Sequence, residues 1–128
     1  MIELHDAIRA ALTGIMNGLD QVPVYDHVPQ QAGFPYITAG EEILTPWDDD
    51  TNTGFNAVFT IHVWSRYRGR YEVKTIQQAI YDRLHRADYS VTGYNQVNTV
   101  LENMETLLDP DGETRHGVQS FRVLLQKE

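Results

Sequence analysis

The sequence predicts an α+β fold: one domain over residues 1–128, with a mainly antiparallel sheet of about five strands and two helices packed on one face. Two segments repeat apolar residues at three- and four-residue steps. Between and after them lie runs of alternating apolar and polar residues, as strands with one buried face require. The last two runs are joined by a turn-rich connection, the mark of a hairpin. Helices gathered on one face of such a sheet would bury both amphipathic stripes.

The first helix is carried by Leu4, Ile8, Ala11, Ile15 and Leu19, with Ala7, Leu12 and Met16 widening the stripe. Glu3 and Asp6 suit the positive end of its dipole, and Asn17–Gly18 supplies a stop. "VPVYDHVPQQAGFPYITAGEEI" is extended chain cut by Pro23, Pro29 and Pro35, and predicts strands near 24–28 and 36–43 with a loop through Gly33. "LTPWDDDTNTG" is a polar loop. From Phe55 the alternation is clear: Phe55, Ala57, Phe59, Ile61 and Val63 face one side, and Asn56, Val58, Thr60, His62 and Trp64 the other. Gly69 breaks that pattern, and Val73, Ile76, Ile80, Leu84 and Ala87 restore helical spacing to about Ala87. After "DYSVTGYNQ", strands near 97–108 and 116–126 flank the turn "DPDGETRHG". The order is α, β, β, β, α, β, β.

Composition narrows the function. The chain has 128 residues, 41% of them hydrophobic, enough for a real core. It has no long apolar run, which predicts no membrane span, and "MIELHDAIRA" lacks the features of a secretory signal. Without cysteine it has no disulfides and no thiolate metal site, a composition compatible with a reducing cytoplasm. The net charge is −8, yet six of the ten Lys and Arg residues fall between Arg66 and Arg86. Residues 41–50 hold Glu41, Glu42, Asp48, Asp49 and Asp50 and no base.

Catalytic and metal signatures are missing. "DDDTNTG" alternates Asp48, Asp50 and Asn52 like a calcium loop, but Thr53 and Phe59 stand where that loop needs Gly and Glu; "DPDGE" fails in the same way. The five histidines (His5, His27, His62, His85 and His116) show no HExxH spacing, and His62 on a strand face reads as packed or interfacial. Ser65, Ser90 and Ser120 lie in no nucleophile elbow, and no glycine run forms a phosphate loop. "SRYRGRY" interleaves Arg66, Arg68 and Arg70 with Tyr67 and Tyr71, as single-strand binders do. On an acidic chain, at a strand-to-helix junction, the same residue types fit a protein interface better.

"VYDHVPQQAGFPYITAGEE", "WDDD", "TIHVWSRYRGRYEVKTIQQAIYDRLH" and "LLDPDGETRHGVQSFRV", in this order, resemble the tail-completion proteins of long-tailed bacteriophages and related prophages, also called tail terminators or head-to-tail joining proteins. The resemblance covers nearly all of the chain after the first helix. It implies a sheet with helices on one side, no enzymatic activity and no cofactor. It also implies a ring, usually a hexamer, on the head-proximal end of the tail tube. Such a ring stops tube growth, meets the connector at the capsid neck, and lets DNA pass unbound. That role places the protein in the virion, and in the host cytoplasm during assembly. The alternatives are another neck or tube component and, more distantly, a small metal-dependent enzyme.

A closed ring needs a heterologous contact, one patch against a different patch of the next copy. The expected contact sets Trp64, Arg66, Arg68 and Arg70 against a neighbour's Glu41, Glu42, Asp109 or Asp111. The expected lumen- or tube-facing loop holds Asp48, Asp49 and Asp50, whose charge would repel the duplex.

Overall fold

The computed structural model describes residues 1–128. The elements are α1 (Ile2–Leu12), β1 (Val24–Tyr25), β2 (Tyr36–Pro46), β3 (Gly54–Ser65), α2 (Tyr71–Leu84), β4 (Tyr94–Leu108) and β5 (Arg115–Lys127). They form one five-stranded sheet of order β1-β2-β3-β5-β4. All its pairings are antiparallel except β1 with β2. The predicted α+β class, element order and hairpin are all present.

The alternation in β3 does what its period requires. Ala57, Phe59, Ile61 and Val63 are buried against the helices, with Phe121, Val123 and Leu125 of β5 beside them. From the helices come Leu4, Ile8 and Leu12 of α1 and Val73, Ile76, Ile80 and Leu84 of α2. Phe59 and Phe121 stack at 5.5 Å in the middle of this layer. Burying each ring contributes about 2–3 kcal/mol. No helix covers the opposite face, where Asn56, Val58, Thr60, His62 and Trp64 are half-buried by their cross-strand neighbours alone.

Several element ends differ from the expected bounds: β2 runs on to Pro46, β4 starts at Tyr94 and α2 ends at Leu84; the larger differences are at α1 and β1. α1 stops at Leu12 and does not run to Asn17, because Thr13 turns extended and Gly14 takes φ +88°, a conformation that favours glycine. Ile15 remains buried on a short return, where Val22 N–H donates to the Ile15 carbonyl at 2.7 Å. The Asn17 side chain caps the reversal by accepting from the N–H groups of Leu19 and Asp20, and Leu19 is left 88% exposed. Arg83 of α2 donates to the carbonyls of Ala11 and Thr13 at 2.9 and 2.8 Å, tying the two helices at the end of α1. The second difference is β1, which holds two residues where 24–28 was expected; Pro23 and Pro29 flank the stretch.

Gln77 pins α2 to the sheet. It is buried, donates to the Glu105 carbonyl at 2.9 Å and accepts from Thr106 Oγ1 at 3.0 Å. It lies over Gly117 of β5, where a Cβ would stand 2.7 Å from the Gln77 amide. Glycine at that position is what lets the side chain reach β4.

Candidate subunit interface

β3 fixes the separation of the two charged regions. The acidic loop precedes Gly54 and the arginine turn follows Ser65. At about 3.3 Å per residue the two stand roughly 40 Å apart, at opposite ends of the sheet. Within one copy they do not meet.

The arginine turn divides by function. Arg66 is held inside its own chain: Nε donates to Thr114 Oγ1 at 3.1 Å, the guanidinium lies 3.8 Å from Asp111 and sits 4.4 Å over the Phe34 ring. Asp111 belongs to the β4–β5 turn, where it accepts from the N–H groups of Glu113 and Thr114 and from Thr114 Oγ1. Those bonds, with a smaller contribution from Arg66, pull its pKa down to about 2. Arg68 and Arg70 are exposed and have no carboxylate partner in the chain. Arg70 stands at the N-cap of α2, where the helix dipole makes a cation unfavourable. Beside them Tyr67 and Tyr71 are exposed.

Trp64 is not part of that turn's surface. It lies on the open sheet face, stacked on His116 at 3.8 Å and donating through Nε1 to Thr38 Oγ1 at 3.2 Å. A row of titratable groups crosses the same face. Glu41 lies 3.2 Å from His62 Nε2, His62 Nδ1 and His116 Nε2 share a hydrogen bond of 2.7 Å, and His116 Nδ1 lies 3.7 Å from Asp109. Burial, and then the neighbouring His62, hold the His116 imidazole below its ordinary value, against the pull of Asp109, Glu41 and Glu105. Glu42 meets the amino group of Met1. Each carboxylate expected to face a neighbour therefore has a contact within its own chain. The pairing of His62 with His116 was beyond the sequence reading, because it depends on the register of β3 against β5.

The acidic loop is a closed turn. Asp49 accepts from the N–H groups of Thr51 and Asn52 at 2.9 and 2.6 Å, and these bonds hold its carboxyl below the usual range. Asp48 accepts from Gly54 N–H at 3.1 Å, which fixes the loop to the start of β3. Trp47 beside it is partly exposed. At the other end of the molecule a slot of about 470 Å³ opens along the outer edge of β4, lined by Arg70, Lys74, Gln78, Met104, Glu105 and Thr106. No helix is long and apolar enough to cross a membrane, and no three metal-ligating side chains converge.

Comparison with known proteins agrees with this architecture. Residues 4–126 match the family model described as "Tail completion protein gp17". The chain belongs to this family. It is a structural phage protein of the tail and neck, not an enzyme. A curated relative, the tail completion protein gp17 of Bacillus phage SPP1, is 27% identical over 92 residues, spanning 72% of this chain and 68% of that protein. A chain in the solved virion of a native gene transfer agent particle shares the fold, with a TM-score of 0.87 and 23% identity over 96% of this chain and 94% of that one.

Proposed function

We propose that the protein closes into a ring, a hexamer by resemblance to its family, on the head-proximal end of the tail tube. There it ends tube growth and presents a surface to the head–tail connector. Membership of the tail completion family over almost the whole chain carries this reading. Arg68 and Arg70, exposed cations without a carboxylate partner, support a contact with the next copy. The turn of Asp48, Asp49 and Asp50 at the far end of the sheet suits the lumen or the tube rim, where carboxylates would keep passing DNA from adhering. No cofactor enters this role, and assembly takes place in the host cytoplasm before the protein resides in the virion.

The test is purified protein added to tail tubes that lack it, followed by negative-stain imaging and native mass measurement. Rings at one tube end, with tubes of uniform length that join heads, are the expected result. Tubes that keep growing in its presence, with no density added at either end, refute the reading.

A further inference from the structure

The sheet has two uncovered strand edges, and they lie on opposite sides. β1 covers β2 only at Ile37 and Thr38, so the outer edge of β2 from Glu42 to Pro46 has no strand against it. β4 ends the sheet on the other side. Its first half is roofed by the segment after α2, through Arg86 N–H on the Thr99 carbonyl at 2.7 Å and His85 Nδ1 accepting from Leu101 N–H at 3.0 Å. Its second half, Asn103–Leu108, lies along the slot already described. Both uncovered halves are free of bulges, the irregularities falling between Ala39 and Glu42 in β2 and before Asn103 in β4. An open, regular edge is a template for a further strand, and soluble proteins seldom leave one bare.

Side chains support the same conclusion. Ile43 and Trp47 on one edge and Met104, Leu107 and Leu108 on the other make up five of the eleven large apolar residues left exposed. Residues 41–50 carry five carboxylates and no base, while Arg70 and Lys74 line the slot over β4. Glu42 pairs in register with buried Phe59, and Thr106 with buried Gly117, so Glu42 and the slot lie on the helix side of the sheet. Ile43 and Leu107 pair with Val58 and His116 on the open side.

We infer that in the proposed ring the uncovered half of β2 in one copy adds as an antiparallel strand to the uncovered half of β4 in the next. Arg70 and Lys74 then stand over the joint, against the acidic segment of the arriving strand. This inference rests on the ring reading and names the partner of its interface, a second copy. The strand directions agree with it: β2, β3, β5 and β4 alternate, so a continuous sheet brings β4 beside β2 antiparallel. The two halves are offset along the sheet, one level with Ala57 and the other with His62. That offset is about 17 Å over about 19 Å of sheet width per copy, a strand tilt near 40°, within the range of closed barrels. Two different edges joined head to tail are also what a cyclic assembly needs.

The absence of cysteine makes the test direct. In one chain Ile43 and Leu107 lie three strand spacings apart across the sheet and six residues apart along it, about 24 Å in all, too far for a disulfide. The double variant Ile43→Cys/Leu107→Cys, oxidised mildly in its assembled form, should give a ladder of covalent multimers ending at the ring's own number. Either single variant should give no species beyond a dimer. In the unmodified protein, amide exchange at Ile43–Thr45 and Leu107 should slow on assembly. Rings that form with neither ladder nor protection overturn the strand joint and leave the ring reading intact. A chain that stays monomeric both alone and on tube ends overturns both.

Discussion

The two faces of the sheet differ in kind, although the same strands build them. On the helix face, Phe59, Ile61, Val63, Phe121 and Val123 are nine-tenths or more buried and make almost wholly apolar contacts. On the open face, the paired positions are Thr60 with Ser120, His62 with Val118, and Trp64 with His116, held by hydrogen bonds and ring stacking. The first face supplies stability through the water it excludes. The second is ordered without being covered, and its polar groups are joined to one another rather than aimed at a ligand. The fold is thus fixed from one side, and the other side and the strand edges are free for assembly.

The strongest way to break this contrast is Phe121→Ala. It removes the central stacked ring of the helix face and should cost about 3–5 kcal/mol in urea or thermal unfolding. Val118→Ala, on the open face of the same strand, should cost about 1 kcal/mol or less, since that side chain is partly exposed and no helix covers it. Equal losses would mean that the open face is covered in solution.

A smaller effect is expected at the polar link between α2 and the sheet. Gln77→Ala removes the bonds to the Glu105 carbonyl and Thr106 hydroxyl and should lower stability by about 1–3 kcal/mol. Gln77→Glu, measured beside it, keeps the volume but loses the donor to Glu105. A Gln77→Ala variant as stable as the unmodified chain would show that α2 is positioned by apolar contacts alone.

These contrasts also show which parts of the molecule were legible. Local alternation identified β3 and its two faces, because side-chain direction along a strand depends on the chain alone. The helical stripe predicts α1 through Leu12, where the helix ends, and continues too far beyond it. Ile15 is buried as a helical residue would be, but it reaches the core from a return behind Gly14. Charge clusters were visible as composition, and their partners were not. Arg66 finds Asp111 only because β5 pairs with β3, which brings the β4–β5 turn beside the arginine turn. The His62–His116 pair and the slot on β4 depend on register in the same way. The open halves of β2 and β4 follow from strand order, which no short stretch of sequence contains.

The histidine row gives the open face a pH dependence that the helix face lacks. His116 in the folded chain titrates below its ordinary value of 6.5, chiefly through burial. As pH falls through about 6.5, the unfolded chain takes up the proton first, so stability declines. The decline levels off once pH lies below the folded pKa, where both forms are protonated. His116→Gln should reduce this loss, read as the urea midpoint at pH 7.5 and 5.5, roughly one unit either side of the ordinary value. A wild-type midpoint that rises on acidification would reverse the assignment, because it would mean that Asp109 and Glu41 outweigh burial at this site.

The smallest effect on the monomer is expected where the consequence for assembly is large. Arg70→Glu/Lys74→Glu changes two exposed side chains that hold no carboxylate in the chain, so the unfolding free energy should stay within about 0.5 kcal/mol. Glutamate at the N-cap end of α2 also suits the dipole better than arginine, which favours no loss at all. Assembly should respond in the opposite sense, since the reversed charges would then face Glu42 in the next copy. The concentration at which rings form, followed by light scattering at low salt, should rise about tenfold or more, and added salt should narrow the gap. Placing lysine at Glu42, the carboxylate of the arriving strand on the helix side, on the same chain should restore assembly, because each joint then pairs opposite charges again. If the threefold variant assembles no better than the twofold one, Arg70 and Lys74 do not read that carboxylate, and the separation between a stabilising face and an assembling edge must be drawn elsewhere.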